Sequence, residues 1–317
     1  MRIVFMGTPE FSVPALEQLL QSDHQVVAVY TQPDKLVGRG RVAAPPPVKR
    51  VALEHGLEVL QPVRLREPAE VERLSAIKPD AIIVAAFGQI LPQSLLDIPE
   101  YGCINIHPSL LPRYRGATPI PSAILAGDEE TGATIMLMDA GMDTGPILSQ
   151  IVVDIETQDT TESLGIRLAR AGAKLLMETL PLWLDRLLTP QPQDESVATY
   201  TAAISKDDGV IDWRSGASEI WRQVRAFYPW PGSHTRWQGK LLKIVGAVPL
   251  QREGSLEPGR VIALAPGQPA VAGVETGEGV LGLLTVQLEG KRAMTAAEFL
   301  RGQSGFVGDI LGGETLP

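Results

Sequence analysis

The 317-residue chain is 44% hydrophobic and 21% charged, with one cysteine and a formal net charge of −9, the profile of a globular protein of about two domains at roughly 100–200 residues each. A lone Cys103 excludes a disulfide framework and a cysteine-built metal site, and fits a reducing cytoplasm. No apolar run nears the ~18 residues of a membrane helix, Met1-Arg2 leads straight into a strand-like run so that no secretory leader is expected, and the acidic total leaves a polyanion only a local basic face to bind.

In chain order, Ile3 to Met6 reads as a first parallel strand, followed by apolar residues at helical spacing (Val13, Leu16, Leu19, Leu20) and a second strand over Gln25 to Tyr30. Strand, helix, strand predicts a right-handed crossover and an α/β sheet. The first turn, Gly7-Thr8-Pro9-Glu10-Phe11-Ser12, lacks the further glycines that admit a pyrophosphate, which weighs against a nicotinamide enzyme. Thr31 to Lys49 is long for a strand-to-helix connection of about 2–6 residues. It holds Gly38-Arg39-Gly40-Arg41 and then Pro45-Pro46-Pro47. It is either a basic loop that orders on a phosphate backbone or a surface insertion.

Helices are expected over Pro47 to His55 and Pro68 to Ile77, with short strands at Leu57 to Leu60 and Ala81 to Ala86. Gly102 to Ile106 is a short buried strand ended by His107-Pro108-Ser109, because proline removes a ladder donor. Then come a helix over Pro119 to Ala126, strands at Thr134 to Met138 and Ile147 to Ile155, and a long helix over Thr160 to Leu187. Residues 189–205, rich in Pro, Gln and Thr, read as a linker between a Rossmann-like domain (1–188) and a second domain (206–317). In the second, a helix (Ser218 to Phe227) precedes short strands at Leu241 to Val245, Gly259 to Leu264, Ala270 to Val274 and Val280 to Gln287, the pattern of an OB-like β-barrel. From Ser205 onward 12 basic and 12 acidic residues cancel, so the whole net charge lies before it. Arg214, Arg222, Arg225, Arg236, Lys240 and Lys243 face only Glu219 in that stretch of sequence. They form either a nucleic-acid face or a solvated one. No extended apolar stripe is left unassigned, so a monomer is expected.

Asn105 and His107 lie two apart and so on one side of a strand, at the C-terminal end where open parallel sheets bind ligands. An amide donor beside an imidazole, with a carboxylate to orient it, suits acyl transfer to an amine. Asp143, between Gly141 and Gly145, supplies the carboxylate. Each has a structural alternative: His107 as a strand-capping core residue, Asn105 as a partner for buried backbone, Asp143 as a turn former.

Asn105-Ile106-His107-Pro108-Ser109-Leu110-Leu111-Pro112, paired with Asp139-Ala140-Gly141-Met142-Asp143-Thr144-Gly145, resembles the folate-dependent formyltransferases. Phe5 to Phe11, Thr31 to Asp34, Gly38-Arg39-Gly40, Arg113 to Ala117 and Ala226 to Gly232 narrow the likeness to the branch whose acceptor is methionyl initiator tRNA. Pro108 stands where many members have Gly. The resemblance spans essentially the whole chain. It implies transfer of formyl from 10-formyltetrahydrofolate to the methionine α-amino group, a Rossmann-like catalytic domain, and an OB-like domain that helps clamp the acceptor arm. It also implies that His107 moves the proton, that Asn105 donates to the oxyanion, and that Asp143 holds the imidazole or a relaying water. No metal is implied. Ser109, Leu110, Leu111 and Pro112 would line the folate pocket, while Arg39 and Arg41 would meet the acceptor stem. Lys206, Arg222 and Arg225 are candidates for phosphate contacts. The nearest competing reading is formyl transfer to a small amine, such as a ribonucleotide or an amino sugar nucleotide.

Overall fold

The structure, a computed structural model, describes residues 1–37, 42–252 and 257–312. The chain divides into two compact units. The first comprises Met1–Pro119, Glu129–Ile155 and Leu164–Ala202, and the second Ile120–Asp128, Glu156–Ser163 and Ala203–Pro317.

The first unit is built on β1 (Arg2–Gly7), α1 (Val13–Leu20), β2 (Gln25–Tyr30), β3 (Lys35–Val37), β4 (Val42–Ala44), α2 (Pro47–Glu54), β5 (Val59–Leu60), α3 (Pro68–Ile77), β6 (Ala81–Ala85), α4 (Gln93–Leu96) and β7 (Cys103–His107). After α5 (Pro119–Ala126) it resumes with β8 (Glu130–Leu137), β9 (Ile147–Asp154) and α6 (Thr161–Leu184) from Leu164 on. The seven-stranded sheet runs β5-β2-β1-β6-β7-β8-β9. β5, β2, β1, β6 and β7 pair in parallel, as the alternating strand–helix pattern predicts, and β8 and β9 add an antiparallel edge. Every residue of β6 and β7 is buried, which is why both read as unbroken runs rather than alternating ones. The winding reverses beside β1: the chain goes out through β2 and returns to β6 on the other side, leaving a crevice at the strands' C-terminal ends.

Two hydrophobic clusters cover the sheet's faces. Ile3, Phe5, Ile104 and Ile106 join Leu16 and Leu19 of α1 and Leu176 and Leu180 of α6 in one. Val4, Met6, Ile82, Val84 and Cys103 join Leu74 and Leu95 in the other. Each such large side chain stabilises by about 1.5–3 kcal/mol when fully buried. The strand period of two therefore puts Ile104 and Ile106 against the helices and turns Asn105 and His107 to the opposite face. Gly172 brings α6 close under this strand, since a Cβ there would lie 2.7 Å from Ile106 Cγ2.

Part of the long Thr31 to Lys49 connection is ordered as the β3–β4 hairpin, paired from Lys35↔Ala44 to Val37↔Val42. Its base is tied by Lys49 Nζ, 2.8 Å from both Asp34 carboxylate oxygens and 2.7 Å from Gln61 Oε1. Gly38 to Arg41, including Arg39 and Arg41, lie outside the described residues.

In the second unit α7 (Ala217–Ala226) is followed by β10 (Ser233–Trp237), β11 (Lys240–Leu250), β12 (Val261–Ala263), β13 (Ala272–Glu275), β14 (Val280–Leu288), β15 (Met294–Thr295) and α8 (Ala296–Gly302). The antiparallel sheet runs β10-β11-β14-β13-β12, with β15 beside β14, and forms a curled OB-like half-barrel. Register shifts around Gly246 bend β11 along its length. Trp237, Phe299 and Phe306 pack edge to face in its core at centroid distances of 5.0–5.7 Å. β10 was missed by the hydropathy reading. Its inward residues are Ser233, Thr235 and Trp237, so the alternation is real but is carried largely by hydroxyls. Among the described residues no helix is long and apolar enough to cross a membrane.

Candidate active site

β7 delivers the site. It ends at His107, one residue later than the apolar run suggests, because the imidazole itself is buried in the sheet opposite Thr134. Asn105 and His107 are 8% and 4% exposed. Among the described residues the Asn105 side chain makes no hydrogen bond, so its amide N–H groups are free for a ligand. Its predicted alternative role, satisfying backbone, is not what the structure shows.

His107 is held from both sides. Nε2 lies 3.0 Å from the Tyr114 carbonyl, which can only accept, so the neutral ring carries its proton on Nε2 and presents a lone pair at Nδ1. Nδ1 faces Asp143 Oδ2 at 3.6 Å. Burial pushes the imidazolium below an imidazole's ordinary range, while the Asp143 carboxylate and the Tyr114 carbonyl pull it back up. The net direction is downward, so the ring is an available base at neutral pH. Asp143 has φ +55 and its Oδ2 accepts the Gly116 N–H at 2.8 Å. Gly116 itself has φ +106, and a Cβ there would sit 2.8 Å from Thr201 Oγ1, so this donor position requires glycine. Cys103 shares the strand face of Asn105, but burial pushes its thiol up to about 12, so it stays neutral and is no nucleophile.

The loop that follows is fastened from β8 and β9. Ser109 is buried and donates to the Arg113 carbonyl at 2.6 Å. Thr134 Oγ1 donates to the Ser109 carbonyl and accepts from Leu111 N–H and from Gln150 Nε2. Gln150 Nε2 also reaches the Leu111 carbonyl at 2.9 Å. Leu111 is 3% exposed, and Leu110 lies over Gly132, where a Cβ would collide with it. Asn105, His107, Asp143 and Ser109 to Pro112 thus belong to one corner of the first unit. Leu91, beyond the end of β6, is a core residue at 3% exposure.

The sequence reading missed the segment that closes this corner. Thr199 N–H donates to the Pro112 carbonyl, Arg115 N–H to the Thr199 carbonyl, and Thr201 N–H to the Arg115 carbonyl. Gln193 Nε2 donates to the Asp143 and Gly145 carbonyls, both at 2.7 Å. Part of the stretch read as a linker, with its strap-like run from Gln191 to Thr201, is hydrogen-bonded along the site. Its signal was hidden because polar side chains there satisfy backbone rather than follow an apolar period.

The residues expected to contact nucleic acid fall out differently. Lys206 is exposed, and Arg222 is half-buried with its Nε unpartnered. Arg225 is buried at 8% exposure, stacked 3.8 Å from the Trp221 ring centroid and donating to the Asp159 carbonyl. It is therefore not placed to meet a phosphate from solvent.

An amide, a buried imidazole and an anchored carboxylate are gathered at the C-terminal edge of the first unit's doubly wound sheet. The formyl transferase family model matches residues 1–180 and the formyl transferase C-terminal domain model residues 203–304, and the chain belongs to the formyl transferase family. It is 49% identical over 312 residues to a methionyl-tRNA formyltransferase of Dehalococcoides mccartyi (strain ATCC BAA-2266 / KCTC 15142 / 195), covering 98% of this chain and 99% of the relative. It is 50% identical over 301 residues to that of Methylococcus capsulatus (strain ATCC 33009 / NCIMB 11132 / Bath), covering 95% and 96%. Among solved structures, HypX from Aquifex aeolicus in complex with tetrahydrofolic acid superposes with a TM-score of 0.66 at 19% identity, over 98% of this chain and 48% of that one. WlaRD, a sugar 3N-formyl transferase, superposes with a TM-score of 0.65 at 18% identity, over 92% and 99%. At these identities the structures speak for the fold.

Proposed function

We propose that the protein transfers the formyl group of 10-formyltetrahydrofolate to the α-amino group of methionyl initiator tRNA. The observation that carries this is the near-full-length identity of 46–50% to methionyl-tRNA formyltransferases, spanning both units. The site's chemistry fits. The uncharged amine adds to the formyl carbon, forming the new C–N bond, and the charge that develops on the formyl oxygen is met by the free Asn105 amide. His107 Nδ1 takes the amine proton, and Asp143 stabilises the imidazolium so formed. Collapse of the oxyanion breaks the bond to the folate nitrogen, which takes up that proton from His107. Ser109 to Pro112, held by Thr134 and Gln150, would border the folate. Its pterin and the methionyl ester enter as substrates and the protein supplies donor, base and exclusion of water. The cytoplasm and a monomeric state are part of the same reading.

The test is formyl transfer from 10-formyltetrahydrofolate with Met-charged initiator tRNA, Met-charged elongator tRNA and glycinamide ribonucleotide in competition. Initiator tRNA is expected to be formylated in strong preference, and Asn105→Ala to lower kcat by about 10²–10³, the usual cost of losing one oxyanion donor. Transfer only to the small amine overturns the acceptor assignment. An undiminished Asn105→Ala enzyme overturns the assigned donor.

A further inference from the structure

Arg115 is fully buried. Its guanidinium binds Glu195 through two parallel contacts of 2.7 and 3.0 Å, Gln193 Oε1 at 3.0 Å and the Tyr200 hydroxyl at 2.8 Å. All these acceptors lie 78 to 85 residues away in sequence, yet within the same unit. Glu195 and Tyr200 themselves are largely exposed, at 69% for the Glu195 side chain and 60% for Tyr200. Burying a guanidinium is costly unless a planar set of acceptors receives it. The geometry therefore asks what this costly knot secures.

The answer lies in Arg115's two neighbours. The carbonyl of Tyr114 fixes the His107 proton on Nε2, and the N–H of Gly116 holds the Asp143 carboxylate. Gln193 joins the same knot to the far side, its Oε1 on Arg115 and its Nε2 on the Asp143 and Gly145 carbonyls. We infer that Arg115 is the positioning residue of the site. Clamped by Gln193, Glu195 and Tyr200, it holds the Tyr114-Arg115-Gly116 backbone so that Nδ1 of His107 is the basic nitrogen and Asp143 faces it. Lysine in its place brings one point charge and cannot engage three acceptors in a plane. This rests on the proposed roles of His107 and Asp143.

The alternative is an ion pair that merely staples two segments and leaves the imidazole unaffected. The deciding experiment is ¹⁵N-resolved imidazole spectroscopy of the full chain alongside steady-state kinetics. With four histidines in the chain, the His107 signals are assigned by their loss in His107→Asn. The unaltered protein is expected to show His107 as a single Nε2–H tautomer. In Arg115→Lys and Glu195→Ala the two ring nitrogens are expected to average toward each other. In both, kcat should fall about 10- to 100-fold, the scale of a misplaced catalytic group, with donor KM changed less than about threefold. A pure Nε2–H tautomer persisting in both variants overturns the proposal, whatever happens to kcat. Should Arg115→Lys fail to fold, Glu195→Ala decides alone, because that side chain is exposed. A wild-type chain that transfers no formyl would sink the functional reading, yet the tautomer comparison would still pass judgement on Arg115.

Discussion

At the scale of the residue, the informative feature of His107 is the sign of its perturbation. Burial is the largest influence and disfavours the imidazolium, while the Asp143 carboxylate and the Tyr114 carbonyl favour it only in part. Its titration midpoint by NMR is therefore expected below 6.5 in the folded protein. Asp143→Asn removes a charge that favours protonation and is expected to move the midpoint lower still. The linkage has a definite direction. Below pH 6.5 the unfolded chain binds a proton that native His107 refuses, so the native state loses stability as pH falls through that range. The difference in denaturation midpoint between pH 7 and pH 5.5 should accordingly shrink in His107→Asn. A midpoint above 6.5 would show that the carboxylate, not burial, governs the ring.

At the scale of the element, the β7 loop is held by hydrogen bonds that a hydropathy pattern cannot show. Thr134 is fully buried on β8, and its hydroxyl serves the Ser109 carbonyl, Leu111 N–H and Gln150 at once. Thr134→Val keeps the shape and orphans those groups, at a cost of about 1–3 kcal/mol. Its unfolding midpoint should drop accordingly, and its donor KM should rise more than its acceptor KM. An unchanged midpoint would mean that water replaces the hydroxyl. The same physics explains what was legible in the sequence. β1, β6 and β7 announce themselves because strands buried on both faces must be apolar, and His107-Pro108 marks where β7 stops. The 189–205 stretch and β10 stay hidden because Gln193, Glu195, Thr199, Thr201 and Thr235 hydrogen-bond to partners far along the chain, and because the inward-facing Ser233 is not apolar. Asn105, His107 and Asp143 could be picked out as a set, but not Arg115, whose partners in the strap are all polar residues without periodicity.

At the scale of the whole molecule, a net charge of −9 must coexist with a polyanionic acceptor under the proposed function. The first 204 residues carry that entire deficit, so attraction has to come from local cations rather than the overall field. Lys206, exposed, and Arg222, only half-buried, can supply it; Arg225 cannot, because it is buried with Trp221 and the Asp159 carbonyl against it. The two kinds of arginine and lysine should then separate experimentally. Lys206→Glu is expected to raise KM for methionyl-tRNA, to flatten its logarithmic dependence on salt by about one unit, and to leave the unfolding midpoint and donor KM unchanged. Arg225→Ala should do the reverse, lowering the unfolding free energy by about 1–3 kcal/mol, and with it the unfolding midpoint, as its cation–π and hydrogen-bond contacts are lost, with the salt slope preserved. If Arg225→Ala instead flattened the salt slope at full stability, its guanidinium would have to leave Trp221 to reach a phosphate. The nucleic-acid face would then extend through α7 into what the structure shows as core.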